Sequence, residues 1–447
     1  MATLATTVDK PEITSKSRPT LAYRALVVFT FLYYARPEDL IPGLQSIPVG
    51  KISGGVALVG LIASLARSKI KTKLPLEMKL LLAMFAQMCL SIPFAYWRGG
   101  AFDTVFNKFS KAVLTALLVI LIVESIQQLR TLLFIQAASV AIATTLSVII
   151  HPGGGYRLQG VLGGILENPN DLAINIAINW PLGLAFLFCA KGPIKKGLWA
   201  LGMLGMLYGV ICTYSRSGMM ALILCLLVCL WEFGVRAKRF HVLALAGILA
   251  VIGVGVAIST PRYVLQMRSI FEGDIKGARD RGSWEARHEI LNQSIDLAIH
   301  NPMFGVGPGN FPSVTQSWVV AHNTFTELAA EAGFPALLLF LIILGLAFRN
   351  LRRARRMGHR KGGEIQVFAS AMWASLAAYM LGAAFSSTEY NLFVYFMVAY
   401  TSVLYRLSQT VPAPESSKPE KEPSGNDMPR LQSSPTQRIL EVSSAQL

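Results

Sequence analysis

The residue best suited to acid–base chemistry in this sequence is His322. It stands in the stretch VVAHNTFTELAAEAGFPALLLF, which begins at Val319 and passes from polar into strongly apolar residues. Imidazole has an ordinary pKa close to neutral pH, so a neutral ring can accept a proton from a hydroxyl group under physiological conditions. His322 is therefore the candidate general base. Its alternative role is to cap a helix or to contact lipid headgroups.

Asn323 and Glu331, which both follow His322 in the chain, are candidates to support it. Asn323 follows the histidine directly at the start of a predicted helix. Glu327 and Glu331 are four residues apart, so they share one face of that helix. Glu331 lies nine residues after His322, roughly on the opposite face, and we expect it to be a poor direct orienting partner for the ring.

Two arginines could bind an anion. Arg216, in CTYSRSGMM, lies between two apolar runs with almost no loop around it. An arginine so close to hydrocarbon is costly unless it snorkels to the surface or meets an anion. Arg287 lies in a predicted amphipathic helix from about residue 283 to 299. At 100° per residue it shares a face with Ser294 and Ala298, away from the acidic side of the helix, so we expect it to point toward protein.

The segment HPGGGYRLQGVLGGILENPNDLA contains one basic residue, Arg157, and ends in a turn that predicts a helix start. Asn170 or Asp171 would satisfy free N–H groups there. A second glycine-rich stretch, GVGPGN, resembles a dinucleotide-binding loop only superficially. It has no predicted strand before it, so we interpret it as a tight backbone turn.

The composition predicts a polytopic membrane protein. Of the 447 residues, 53% are hydrophobic and only 15% are charged, and the mean hydropathy is +0.49. The net charge of +16 could suggest a nucleic-acid partner, but the basic residues form short clusters between apolar runs, so no nucleic acid is expected. The five cysteines lack the spacing of a zinc site, and neither a metal nor another cofactor is predicted.

The predicted fold class is an all-α polytopic membrane protein with about twelve transmembrane helices. Both termini are expected inside the cell, because this orientation places RSKIKTK, KGPIKK, RAKR and RNLRRARRMGHRK on the cytoplasmic side. The predicted spans are 20–35, 47–66, 77–97, 109–125, 130–150, 172–190, 197–213, 218–235, 241–259, 334–348, 367–386 and 391–407.

This layout divides the chain into three parts. Residues 1–19 form a cytoplasmic N-terminal segment, 20–407 a transmembrane domain, and 408–447 a tail rich in Pro, Ser, Glu and Lys that is expected to be disordered. The connections 151–171 and 260–333 fall on the outer side, and the second is long enough to contain amphipathic helices.

Four motifs in this order resemble the O-antigen ligase and O-antigen polymerase superfamily of bacterial integral-membrane glycan transferases. They are YRLQGVLGGILENPNDLA, YSRSG, RHEILNQSIDLAIHNPMFGVGPGNF and AHNTFTELAAEAG, which together span about residues 156 to 333. The resemblance implies transfer of a glycan from undecaprenyl diphosphate to an acceptor hydroxyl, with no metal and no nucleotide sugar. It places the reaction at the periplasmic face of the bacterial inner membrane, among the membrane lipids.

By this resemblance His322 corresponds to the family histidine, the general base. Arg216 and Arg157 correspond to basic positions of the family, and together with Arg287 they are expected to bind the diphosphate. Asn170 is a further candidate supporting residue. Arg287 corresponds to the arginine of the large periplasmic loop.

A second arginine, Arg281, could match the same family position as Arg287. The family arginine precedes a usually aromatic position by four residues, and Leu291 occupies that position here. Arg281, which precedes Trp284, is the alternative match. The fixed distance to HNPMFGVG favours Arg287.

The acceptor stays open at this point. It could be lipid A–core in a ligase, a second lipid-linked glycan in a polymerase, or a protein hydroxyl in an O-oligosaccharyltransferase; the motifs favour ligase-like transfer. A transporter of lipid-linked glycans is a further alternative. It would predict polar groups at the middle of several spans, whereas this sequence gathers its polar groups at one face.

Overall fold

The computed structural model of the chain describes residues 20–37, 49–67, 74–150, 157–158, 168–238, 281–316, 319–361 and 363–410. Among these residues every regular element is a helix. The predicted segment 1–19 and the predicted span 241–259 lie outside the described residues, as does the tail from 411 on.

Fourteen α-helices follow one another in the described residues. They are α1 (Leu21–Ala35), α2 (Val49–Arg67), α3 (Leu76–Ser91), α4 (Arg98–Asp103), α5 (Ser110–Ile122), α6 (Ile126–Ile150), α7 (Pro169–Cys189), α8 (Pro193–Thr213), α9 (Arg216–Cys229), α10 (Arg281–His300), α11 (Phe311–Val314), α12 (Thr324–Lys361), α13 (Gly363–Ala383) and α14 (Leu392–Thr410). A π-helical segment, Thr104–Phe109, joins α4 to α5, and another, Leu230–Val235, extends α9.

Eight helical stretches in the described residues are long and apolar enough to cross a membrane. They are Leu76–Phe94, Arg98–Ile122, Ile126–Ile150, Pro169–Cys189, Pro193–Thr213, Arg216–Val235, Thr324–Gly358 and Gly363–Ala383. The chain is therefore an all-helical polytopic membrane protein, as predicted. The number twelve and the orientation in the membrane remain predictions.

Helices α7 and α13 form the centre of the bundle. The apolar windows of α7 and α13 are 78% and 67% buried, whereas that of α8 is 28% buried. A Cβ at Gly218 would lie 2.1 Å from the Cβ of Ala173, and one at Gly382 would lie 2.8 Å from a methyl carbon of Ile174. Small residues at these positions let α9 and α13 approach α7 closely, as is common between membrane helices.

Helix α12 is interrupted at Gly333, which has φ 83° and ψ 168°. The sequence predicts one helix continuing into the membrane near Phe334, and the structure corrects this. L-residues rarely adopt a positive φ, and Pro335 cannot donate a helical hydrogen bond. The N–H of Phe334 instead donates to the carbonyl of Pro302 at 2.8 Å. The break separates a short first part, 324–332, from the long apolar part that follows.

Candidate active site

The backbone around His322 is fixed by hydrogen bonds to the turn between α13 and α14. His322 is half-buried and has a left-handed backbone with φ 54°. Its N–H donates to the Oγ of Ser387 at 3.1 Å. The hydroxyl of Ser387 donates to Oε2 of Glu327, and the N–H of Ala321 donates to the same carboxylate oxygen at 3.1 Å. These hydrogen bonds stabilise the left-handed backbone of His322, a conformation that costs free energy for a residue with a side chain.

The residues after His322 begin α12. The side chain of Asn323 accepts from the N–H groups of Phe325 at 3.0 Å and Thr326 at 3.2 Å, the pattern of a helix N-cap. The hydroxyl of Thr324 donates to the carbonyl of Ser386 at 2.6 Å. The predicted supporting residue Asn323 therefore acts on the backbone, aligning the helix start next to the histidine.

Arg287 lies on the protein-facing side of α10, as predicted. Ser294 and Ala298 on the same face are buried, whereas Glu289 and Asp296 are exposed. The hydroxyl of Ser294 donates to that of Thr326 at 2.8 Å, which joins α10 to the start of α12.

Helix α10 brings Arg287 close enough to act on the histidine. Burial lowers the pKa of His322, and the positive charge of Arg287 lowers it further. Both effects favour the neutral ring, the form that can accept a proton. The side chain of the rival residue, Arg281, lies outside the described residues.

A second cluster of polar side chains lies where α7, α8 and α9 meet. Nε of Arg157 donates to the carbonyl of Thr213 at 3.0 Å, and its Nη2 donates to Oδ1 of Asn170 at 2.7 Å. Ser215 donates to the same oxygen of Asn170 at 2.8 Å. Arg216 is the next residue and the first of α9, whose N-terminus is capped by Ser215. The structure therefore brings Arg157, Asn170 and Arg216 together.

The polar residues around His322 and those around Arg157 are connected through the turn after α13. Asp171, which follows Asn170 in α7, accepts a hydrogen bond from the hydroxyl of Ser386. Ser387, the next residue, accepts from the backbone of His322 at 3.1 Å. The predicted site residues Arg157, Asn170 and His322 are therefore connected by hydrogen bonds that alternate with two steps along the chain, from Asn170 to Asp171 and from Ser386 to Ser387.

Glu331 anchors the glycine-rich loop and does not orient the histidine through its carboxylate oxygens. It is fully buried and accepts from the N–H groups of Gly309 at 2.7 Å and Phe311 at 2.9 Å. The hydroxyl of Tyr390 donates to it at 2.6 Å. Gly305, Gly307 and Gly309 all have positive φ values. The prediction of a tight backbone turn is confirmed. The dinucleotide-loop alternative is wrong, because these N–H groups already have partners within the chain.

Three buried carboxyl groups approach one another beneath the His322 loop. Oxygens of Glu327, Glu331 and Glu389 lie within 4.8 Å of one another, so these residues could offer three ligand atoms to a cation. Glu331 already accepts from three donors and Glu327 from two. Burial, followed by the charges of Glu327 and Glu331, holds the pKa of Glu389 well above its usual range. The arrangement therefore favours a shared proton.

Sequence reasoning missed the contribution of the turn between α13 and α14. The predicted span 367–386 placed Ser386 in the membrane, whereas α13 ends at Ala383. The turn carries Ser386, Ser387, Thr388, Glu389 and Tyr390, and all five take part in the contacts around α12 or in the carboxyl cluster. The signal was the polar run SSTEY between two apolar spans, which resembles an ordinary loop.

These features define a polytopic helical membrane protein with a polar site at one end of its helix bundle. The family model described as O-antigen ligase matches residues 201–341, from α8 into α12. The matched region contains Arg216, Arg287 and His322, and the match confirms the resemblance read from the sequence. It indicates a membrane enzyme of the glycan ligase or polymerase type, with lipid-linked glycan and acceptor substrates. No curated protein matches the chain.

Proposed function

We propose that the protein transfers a glycan from undecaprenyl diphosphate to an acceptor hydroxyl, in the manner of an O-antigen ligase, with His322 as the general base. The observation that carries this proposal is the environment of the histidine. Its backbone is fixed by Ser387, its ring is half-buried, and Arg287 lies close enough to lower its pKa. Burial and the charge of Arg287 both lower the pKa of His322 and so favour the neutral ring, the form that accepts a proton.

In the proposed reaction the acceptor oxygen attacks the anomeric carbon of the donor sugar. The bond from that carbon to the diphosphate oxygen breaks, and its electron pair leaves with undecaprenyl diphosphate. The hydroxyl proton passes to the neutral imidazole of His322. A well-positioned general base accelerates such a step by roughly 10² to 10⁴-fold.

The leaving diphosphate gains negative charge, and the arginines are suited to stabilise it. The guanidinium group stays charged and presents parallel N–H donors that match phosphate oxygens. Arg287 belongs to α10, and its charge acts on His322. Arg157 and Arg216 approach from the junction of α7, α8 and α9, where Asn170 orients Arg157. Removing one such donor from an active site typically costs about 2.7–4 kcal/mol of transition-state stabilisation.

The basic segments lie at one end of the helix bundle, which supports a periplasmic site at the other end. The basic segments KGPIKK and RAKR lie at the start of α8 and beyond the end of α9, and RNLRRARRMGHRK lies at the end of α12. The candidate site lies at the opposite ends of these same helices. Because short basic loops stay in the cytoplasm, we infer that both termini face the cytoplasm and His322 faces the periplasm of the inner membrane.

The test uses two histidine variants in a strain that lacks the chromosomal gene. We expect His322→Ala to lower glycan transfer at least 100-fold. His300→Ala is the matched control, because His300 ends α10 with an exposed side chain that contacts Asp296 of its own helix. Immunoblots of membranes verify equal insertion. Full transfer by a normally inserted His322→Ala protein would rule out the proposed base.

The acceptor is identified in the same strain. Gel analysis of lipopolysaccharide and secreted polysaccharide separates the three acceptors. Loss of all long chains from the lipid A–core, with polymer still attached to its carrier lipid, is expected for ligase-like transfer. Single-repeat capping would instead indicate a polymerase. Unchanged polysaccharides with loss of glycoprotein would indicate transfer to protein.

A further inference from the structure

A large apolar cavity lies away from the candidate active site, along α6 and α8. Its volume is about 1880 Å³, above the roughly 300–1,000 Å³ of pockets that hold small molecules. Its apolar wall includes Phe134, Ile142, Ile149, Phe186, Leu198 and Trp199. The size and the apolar wall of the cavity fit a lipid better than a sugar or nucleotide.

The cavity is longer than the acyl chains of one lipid leaflet, which fill about half of the roughly 30 Å hydrocarbon core. Its lining extends along α6 from Arg130 to Ile149, a rise of about 28 Å at 1.5 Å per residue. Ile142 and Ile149 are 67% exposed and Leu198 is 65% exposed. These side chains form a groove on the apolar surface of the bundle, the shape that acyl chains fill.

The mouth of the cavity is positively charged. Five cations and two carboxylates line it, which gives a net charge of 5 − 2 = +3; the cations are Arg130, Lys191, Lys195, Arg236 and Lys238, and the carboxylates are Glu232 and Glu364.

The two arginines of the mouth lie beside carboxylates. Arg130 pairs with Glu364 at 2.5 Å, and Arg236 lies 3.6 Å from Glu232, whose nearer partner is Arg355 at 2.5 Å. The three lysines are exposed, and within the described residues none of them forms an ion pair. They are available to a phosphate group.

This mouth and the His322 site lie at opposite ends of the same helices. Helix α8 begins at Pro193 beside the mouth and ends at Thr213, which accepts a hydrogen bond from Arg157. Helix α13 begins at the mouth with Gly363 and ends shortly before Ser386. A helix of about 20 residues spans roughly 30 Å, so the two sites are separated by about the thickness of the hydrocarbon core.

We propose that this cavity binds an anionic phospholipid of the cytoplasmic leaflet. Its acyl chains lie along α6 and α8, and its phosphate contacts Lys191, Lys195 and Lys238. Basic pockets between membrane helices on the cytoplasmic side favour anionic headgroups through charge complementarity. The site is separate from the proposed diphosphate site and does not depend on the reaction catalysed there.

Trp199 provides a direct probe of the occupant. It lines the cavity and stacks on Phe186, with ring centroids 5.1 Å apart. The full-length protein in nanodiscs is titrated with phosphatidylglycerol or phosphatidylcholine carrying brominated acyl chains, which quench nearby tryptophan. The signal of Trp199 is the difference between wild-type protein and Trp199→Phe. We expect quenching at a several-fold lower mole fraction of the brominated phosphatidylglycerol.

A variant without the three lysines tests whether the positive charge of the cavity mouth selects the lipid. Lys191→Gln/Lys195→Gln/Lys238→Gln should abolish this several-fold preference for phosphatidylglycerol, because each lysine removed weakens the attraction for an anionic headgroup by roughly fivefold. The control removes three exposed cations at the same end of the bundle but outside the cavity, in Lys79→Gln/Arg349→Gln/Arg356→Gln, and should keep the preference.

Two outcomes overturn the proposal. Equal quenching by both lipids, in wild-type and lysine-variant protein alike, would mean that Trp199 meets only the bulk bilayer. No quenching beyond that of Trp199→Phe would mean that protein fills the cavity, for instance residues 239–260, which continue the chain from Lys238.

Discussion

The N–H of His322 donates to the hydroxyl of Ser387, 3.1 Å away and 65 residues later in the chain. This contact joins the loop before α12 to the turn after α13. Through Ser387 it reaches the buried carboxylate of Glu327, which also holds the N–H of Ala321. The geometry of the candidate base is therefore set by two other elements of the fold.

Ser387→Ala should lower the transfer rate by about tenfold without lowering the amount of protein in the membrane. The substitution removes the hydroxyl between His322 and Glu327, and a hydrogen bond of this kind is worth about 0.5–1.5 kcal/mol. The measurement is the transfer rate per amount of protein in isolated membranes. Ser375→Ala is the control, because within the described residues that buried serine donates to the carbonyl of Ala371 in its own helix. Equal rates for the two variants would show that Ser387 does not position the base.

Arg287→Gln should shift the pH dependence of transfer. Neutral His322 is the active form, so the rate rises with pH as the ring loses its proton. The charge of Arg287 lowers the pKa of His322. Its removal raises that pKa, and the acid limb of the pH–rate profile moves to higher pH. The plateau should also fall, by about 10²- to 10³-fold, if Arg287 contacts the diphosphate. Arg353→Gln, at the far end of α12, is the control; an acid limb unchanged in Arg287→Gln would contradict the proposed proximity.

Gly333→Ala should strongly destabilise the protein, whereas Gly345→Ala should leave its stability unchanged or raise it slightly. A Cβ at Gly333 would lie 2.4 Å from the carbonyl oxygen of Met303, and the residue has φ 83°. A Cβ at Gly345 meets nothing within 4 Å, and alanine is the better helix former by roughly 0.5–1 kcal/mol. Thermal unfolding in detergent measures both. Similar melting temperatures would show that α12 does not need the break.

Glu331→Ala should cost far more stability than Tyr390→Phe. The alanine variant leaves the buried N–H groups of Gly309 and Phe311 without their acceptor, at about 1–3 kcal/mol each. The phenylalanine variant removes one donor and leaves the other two bonds of Glu331 in place. Thermal unfolding and membrane yield measure the difference. Equal effects would show that the carboxylate does not anchor the loop.

Much of the helical architecture could be predicted from apolar periodicity. Eleven of the twelve predicted spans overlap a described helix, because membrane-spanning segments need unbroken runs of apolar residues. The break at Gly333 was not predicted, since a glycine inside an apolar run is compatible with a straight helix. Its conformation is set by the carbonyl groups of residues 302 and 303, which pack against it.

The site residues were predicted unevenly, for a physical reason. Arg287 could be placed on the protein-facing side of α10 because a helical face follows from spacing alone. Glu331 was proposed as a supporting residue of the site, and the structure shows it bonded to the glycine-rich loop. Glu327 and Ser387 were not proposed, since neither residue is unusual in its own segment.

The sequence by itself determined the class of protein, the candidate base and the cationic residues around it, because apolar runs, a lone imidazole and charged side chains are properties of local sequence. The tertiary structure decided which of these groups meet. Hydrogen bonds form between atoms about 3 Å apart, and that proximity depends on how α7, α12 and α13 pack. The link from Arg157 through Asn170 to His322 joins segments more than 100 residues apart, so only the folded chain could show it.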